Sequence, residues 1–210
     1  MTVIAIDGPG GSGKSTIARA LGARLALPVL DTGAMYRAVT LLARRRGVDP
    51  TDGAALAALA AAMEIEVDGL VTLDGEDVSE AIRSAEIDAV VSTVAAHPAV
   101  RAELVARQRA WVAGHGGGVV EGRDITSVVL PDADVRVYLT ASAEERARRR
   151  VDQRGGGEAV GATQAEIAAR DAKDSGRTAS PLLVADGAVV IDSTGRPVDE
   201  IVDEIVALRG

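Results

Sequence analysis

The stretch "GPGGSGKST", residues 8–16, sets Gly8, Gly13, Lys14 and Ser15 at the spacing G-x-x-x-x-G-K-S, with Pro9, Gly10, Gly11, Ser12 and Thr16 completing the loop. That pattern suits phosphate. Glycines let the backbone curl until successive N–H groups point at phosphate oxygens, and a helix starting near Lys14 adds its positive end. Lys14 can then reach β- and γ-phosphates, and the Ser15 hydroxyl can ligate Mg²⁺. The context agrees: the apolar run "VIAID" reads as a strand, and Ile17, Ala20, Leu21 and Leu25 form one stripe of a following helix. A GTPase switch would be expected to carry a guanine-reading N-K-x-D, and the chain contains no Asn. A motor or transporter ATPase would bring greater length and partner-facing elements. The class left in front is a small-molecule kinase, which needs an Arg-rich second site opposite the loop to hold an acceptor phosphate.

Three stretches offer that site. In "DTGAMYR", Thr32 and Tyr36 are four apart and share a helix face, with Arg37 beside them. In "EGRDI", Arg123 and Asp124 follow an apolar strand, at the carboxyl end where ligands of open α/β sheets bind. In "RDAKDSGR", Arg170, Asp174 and Arg177 fall at i, i+4 and i+7, two guanidinium groups and one carboxylate on one stripe. Each stretch also has a plain structural alternative: Thr32 as a helix cap, Arg123 and Asp124 as a surface turn, and the stripe as a solvated ion-pair ladder.

The elements needed to position these residues alternate. "LPVLD" reads as a second strand, followed by a helix from about Ala34 to Arg46 and an alanine-rich helix over 52–63. "EIEVDGLVTLDGEDV", with two Asp-Gly pairs, carries a hairpin signal, so 64–83 reads as a small insertion in a core formed by 1–63 and 84–210. Helices over 84–95 and 98–113 follow, divided by "HP". "GGGVVEGRD" and "ADVRVYLTA" read as strands, the second leading into an Arg-rich helix from Ala143. "RGGGEAVGA" then reads as a mobile segment, before a helix over 163–175, the strand "AVVIDS" and a last helix from Val198 to Leu208. The expected fold is α/β: a three-layer P-loop NTPase fold whose parallel sheet is covered by helices on both faces.

Composition narrows the class further. The 210 residues fit one domain with or without an insert, and the absence of Cys removes disulfides and Cys-based zinc sites. A net charge of −8 speaks against a general nucleic-acid or membrane surface. The first residues lack a basic segment, and the run "AALAALAAAM" is too short to span a bilayer. A soluble, cytoplasmic chain with small-molecule nucleotides as partners, and a monomer, is therefore expected.

From "IDGPGGSGKST" through "LDTGAMYRA", "GEDVSEAIRS", "EGRDI", "PDADVRVYL", "EERARRR" and "RDAKDSGR" to "VVIDSTG", nearly the whole chain resembles the bacterial cytidylate kinases, a P-loop nucleoside monophosphate kinase family. The resemblance implies transfer of the γ-phosphoryl group of ATP, with Mg²⁺, to CMP or dCMP. It implies that Ser92, Arg101 and Asp124 read the cytosine ring, that Arg170 and Asp174 hold the ribose, and that Arg37 and Arg177 hold the acceptor phosphate, with Thr32 and Tyr36 lining the site. Lys14, Arg123, Asp124 and Arg177 are the residues expected nearest the chemistry. "EERARRR" and the glycines after it resemble a lid, about 146–161, that would close Arg148 and Arg149 over the donor phosphates. A kinase for UMP, AMP or another small metabolite, and a non-catalytic nucleotide switch, are the competing expectations.

Overall fold

A computed structural model describes residues 2–156, 159–177 and 180–209. The chain runs β1 (Thr2–Asp7), α1 (Lys14–Leu25), β2 (Val29–Asp31), α2 (Thr32–Arg45), α3 (Gly53–Ala62), β3 (Ile65–Asp68), β4 (Leu70–Leu73), β5 (Glu76–Asp77), α4 (Ala85–Val94), α5 (Pro98–His115), β6 (Gly117–Glu121), β7 (Val135–Thr140), α6 (Ala143–Gln153), α7 (Val160–Ser175), β8 (Val189–Asp192) and α8 (Val198–Ala207). Strands β2, β6, β1, β7 and β8 form, in that order, one five-stranded sheet in which every pairing is parallel. Both faces are covered, which is why β6 is buried at every position. On one face α1 and α8 close over Ile4, Ile6, Val137 and Leu139 through Ile17, Leu21, Ile201 and Ile205. On the other, α2 to α5 pack their apolar sides over Val3, Ala5 and Val120.

This order puts β1 between β6 and β7: the chain passes from β1 to β2 toward one edge and from β6 past β1 to β7 toward the other, which opens a crevice at the carboxyl ends of the strands. The glycine loop, the end of β2 and the end of β6 all face that crevice. The loop itself is sterically fixed: Gly8 has φ +149°, and a Cβ there would stand 2.0 Å from the Leu139 carbonyl oxygen.

Residues 65–73 form the expected hairpin, β3 against β4, turning at Asp68 and Gly69. The short β5 adds a third antiparallel strand after the second Asp-Gly turn. Val71, Leu73 and Val78 from this sheet share a cluster with Leu56 and Leu59 of α3.

Three local features differ from the sequence expectation. Helix α2 begins at Thr32 rather than Ala34, because the Asp31 carboxylate caps it by accepting from Ala34 N at 3.0 Å. Helix α7 begins at Val160, three residues before Thr163, so "VGA" is its first turn and not part of a loose glycine run. Residues 157 and 158 of the expected mobile stretch lie outside the described residues. After β6, Ile125–Val129 coil into a wide π-type turn that periodicity does not reveal.

Candidate active site

Helix α1 has an unusual start. Gly13 precedes it with φ 94°, and among the described residues no side chain caps it and no acid stands in its first turn. Its leading N–H groups are therefore left for an external anion. Lys14, only 6% exposed, folds back to donate from Nζ to the Pro9 carbonyl at 2.8 Å. Burial, with Arg123 nearby, pulls its ammonium down to about 7. The neighbouring Ser15 hydroxyl donates to Glu121 Oε1.

Glu121 is a site residue that motif reading missed. It ends β6, stands beside Asp31 in the parallel register of β2, and is pushed up to about 7 by burial and by that second carboxylate. The available signal was an acid at the carboxyl end of an apolar strand. Asp7, at the end of β1, is missed in the same way. Fully buried, it accepts from Ile125 N and Thr126 N at 2.7 Å each and from Thr126 Oγ1 at 2.6 Å. Burial raises its carboxyl, and the three donors oppose that rise. Asp7 thus clamps the wide turn and fixes the chain direction directly after Asp124.

The opposite wall is made of side chains. Arg101, on α5, pairs with Asp124 in a site where both are buried, and its guanidinium stands 5.5 Å from the Tyr36 ring centre. Asp174, 1% exposed, accepts from Ser92 Oγ at 3.2 Å, from Arg123 Nε at 3.1 Å and from Arg177 Nη2 at 2.5 Å. Burial opposes ionisation of Asp174, but Arg123, Arg177 and Arg170 outweigh it and hold the carboxyl below its usual range. The expected stripe is thus only partly helical: α7 ends at Ser175, and Arg177 reaches Asp174 from beyond that end. Thr32 is not the cap of α2. Its hydroxyl donates to the Glu121 carbonyl at 2.8 Å, and a Cβ at Gly122 would lie 2.6 Å from that hydroxyl oxygen. Arg37 donates from Nη1 to the Ile82 carbonyl at 2.9 Å.

Both walls face a single cavity. Its lining takes in Gly10, Gly11, Gly13, Lys14, Ser15 and Thr16 from the loop, and every expected acceptor-site residue: Thr32, Tyr36, Arg37, Ser92, Arg101, Arg123, Asp124, Arg170, Asp174 and Arg177. Nine cationic side chains and four carboxylates line it, a local excess of positive charge within a chain of net −8. Such an excess favours a polyanion. Gly8, Pro9 and Ser12 shape the loop from behind rather than lining the cavity.

The structure does not bring the two expected lid arginines into the cavity. Arg148 is exposed and pairs with Glu145 one turn away. Arg149 donates to the Ser12 carbonyl at 3.2 Å and to the Ser193 hydroxyl and carbonyl at 2.9 and 2.8 Å, which ties α6 to the back of the loop. Arg150, one position on, lines the cavity instead, as do Arg19 and Arg83. Helical phase decides this, because adjacent residues of a helix point about 100° apart.

The Ser15 hydroxyl with the Glu121 carboxylate is an all-oxygen donor set. It suits a cation such as Mg²⁺ that takes one or two protein oxygens and completes its shell with phosphate and water. Among the described residues there is no cluster of three or more His, Cys, Asp or Glu able to hold a metal. Among them, too, no helix is long and apolar enough to cross a membrane.

The cytidylate kinase family profile matches residues 4–209. The chain is 52% identical to a cytidylate kinase from Symbiobacterium thermophilum, over 97% of this chain and 94% of that protein. It is 47% identical to a cytidylate kinase from Mycobacterium avium, over 97% and 92% respectively. It also matches a bifunctional pantoate ligase/cytidylate kinase from Parasynechococcus marenigrum at 49% identity, covering 97% of this chain and 42% of that longer protein. A gluconokinase structure from Sinorhizobium meliloti, 16% identical with a TM-score of 0.53 over 99% of this chain and 91% of that one, shares the fold. A glycine loop facing an arginine–carboxylate wall, on a sheet of this order and with relatives of this similarity, leads to one conclusion: the chain belongs to the cytidylate kinase family.

Proposed function

We propose that the protein transfers the γ-phosphoryl group of ATP to the 5′-phosphate of CMP or dCMP, giving ADP and CDP or dCDP. The observation that carries the choice of base is the buried Arg101–Asp124 pair beneath Tyr36. Guanidinium donates to the ring acceptors of cytosine, and carboxylate accepts from its exocyclic amine. Uracil presents a carbonyl where that amine would be, which would set two acceptors against each other. Ser92 joins this reading of the base, and Arg170 and Asp174 are assigned to the sugar. Arg37 and Arg177 are assigned to the acceptor phosphate, with Thr32 and Tyr36 lining the site.

Phosphoryl transfer passes through a loose transition state, so the protein's work is positioning and charge stabilisation. In this reading the backbone N–H groups from Gly11 to Ser15 hold the donor phosphates. Lys14 leaves the Pro9 carbonyl for a phosphate oxygen. Arg123 sits between the walls: it reaches Asp174 on the acceptor side, and its Nη2 comes within 3.6 Å of where a Cβ of Gly10 would stand. That is where a group in transit would need a cation. Mg²⁺, held through Ser15 with Glu121 behind it, would neutralise charge on the donor phosphates. The segment at 64–83 is read as an insertion near the monophosphate side, and 146–161 as a lid over the crevice that excludes water. The same reading makes the protein a cytoplasmic monomer.

A panel of CMP, dCMP, UMP and AMP with ATP, followed by coupled detection of ADP, tests the proposal. CMP and dCMP should release ADP with kcat/KM at least about 100-fold above UMP and AMP, the discrimination expected when a wrong base leaves buried polar groups unpaired. Equal use of UMP or AMP would overturn the choice of acceptor. Tight nucleotide binding without acceptor-stimulated ADP release would point to the switch.

A further inference from the structure

Asp88, in the first turn of α4, is shared by arginines from three other helices. Its carboxylate pairs with Arg37 of α2 at 2.5 Å, with Arg170 of α7 at 3.3 Å, and with Arg150 of α6 and Arg154 just past it, the last at 3.5 Å. The Asp88 side chain is 9% exposed, and the four arginines lie between 15% and 26%. Arg37, Arg150 and Arg170 line the cavity, whereas Asp88 stands behind them and does not.

Guanidinium groups keep their protons in proteins, so a cluster of them has no route to neutrality except through an anion. Burial pulls Arg37 and Arg150 down to about 10 and Arg170 to about 9, and neighbouring guanidinium groups, Arg83 and Arg123 among them, add to the fall. Each guanidinium has five N–H groups in a fork, so an edge given to Asp88 leaves another edge free for a phosphate.

We propose that Asp88 is a positioning residue for phosphoryl transfer: a resident anion that gathers Arg37, Arg150 and Arg170 behind the cavity and draws the α6–α7 arm toward the acceptor wall before substrate arrives. The inference rests on the phosphoryl-transfer reading above. It differs from general packing because the carboxylate serves three cavity-facing cations from separate helices, none of which could hold its place alone against the others.

The test is kinetic, on the full chain. Asp88→Asn keeps the shape and removes the charge. Its KM for CMP should rise about tenfold and its kcat should fall by a similar factor, the scale expected from small misplacement of binding groups. Asp88→Glu should recover part of both. Arg150→Gln, which removes one cationic partner of Asp88, supplies a double-mutant cycle, in which adding Asp88→Asn to it should cost clearly less than Asp88→Asn costs alone. If Asp88→Asn folds poorly, Arg150→Gln and Arg154→Gln should each still raise the KM for CMP, and unchanged KM in both would overturn the proposal. So would an Asp88→Asn variant that loses kcat only in proportion to lost folded protein, with KM unchanged, or a cycle that is strictly additive. Wild-type protein without CMP-dependent ADP release would remove the reaction itself, and the role of Asp88 with it. Wild-type turnover with an unaffected Asp88→Asn would remove only the latter.

Discussion

On the proposed reading, the two walls of the crevice solve the same problem, holding phosphate, by opposite means. The donor wall is backbone: the loop from Gly10 to Thr16, of which all but Ser12 line the cavity, one lysine, and a helix start that among the described residues has no side-chain cap. The acceptor wall is side chain: arginines from α2, α5, α6 and α7 and from the loop after β6, each tied to a carboxylate on another element. A backbone cradle is rigid because the chain path fixes it, and its polar groups can wait for a ligand at little cost while water reaches them. A wall of buried charges cannot wait unpaired, so its members neutralise one another and the network becomes part of the fold. Function and stability should therefore separate on the donor wall and coincide on the acceptor wall.

The largest effect expected from this contrast is on the donor side. Lys14→Met should lower turnover about 10³-fold, the loss typical when a stabilising donor is removed from a transition state. Its thermal midpoint should stay near that of the wild type, since among the described residues the hydrogen bond of Lys14 is to its own loop. Near-normal turnover would sink the phosphate assignment. A large fall in the melting temperature would break the contrast instead.

Asp174→Ala comes next. Steady-state kinetics should show the KM for CMP raised about 100-fold with the KM for ATP changed little, in line with losing a hydrogen-bonded carboxylate from one subsite. Unlike Lys14→Met, it should also destabilise the fold by about 3 kcal/mol, because Arg123 and Arg177 are left partly buried without their partner. Equal effects on both KM values would count against its place on the acceptor wall.

The smallest effect is spectroscopic. Burial raises the Tyr36 phenol from 10.0 to about 12, and burial also raises Tyr138, the other of the two tyrosines. Because the folded-state value of Tyr36 lies above the unfolded one, its contribution to stability is present in full below pH 10 and fades as pH rises toward 12. Ultraviolet absorbance of phenolate should show the last ionisation missing in Tyr36→Phe. A Tyr36 that titrates near 10 would mean that water reaches the acceptor wall more freely than its burial implies.

The same contrast decides what was legible in the sequence. Gly8, Gly13, Lys14 and Ser15 could be read because their meaning is local: spacing alone sets the loop, and the strand before it and helix after it can be recognised by period. The alternating elements and the hairpin at two Asp-Gly turns were legible for the same reason. Ser92 and Arg101 come from resemblance to a known family and Arg177 from its spacing to Arg170 and Asp174, and the structure gathers all three around Asp124 and Asp174. Glu121, Asp7 and Asp88 were silent, because a carboxylate acquires a role only from what lies across from it. For Glu121 that neighbour is Asp31, 90 positions earlier in the chain but adjacent in the sheet register. Resemblance to a lid points to Arg148 and Arg149, while only the packed helix shows that Arg150 is the member of that run that faces the cavity.

The open start of α1 gives the nucleotide a second standing. A helix whose first N–H groups lack a partner is an unfinished piece of secondary structure, and the triphosphate finishes it as a capping side chain would. Ligand that binds only the native chain adds about 2.7 kcal/mol to stability at 100 times its dissociation constant. ATP would thus act as a folding cofactor as well as a reagent. A cell drained of it would leave this protein not merely idle but more open to proteases, so that its abundance would follow the energy supply.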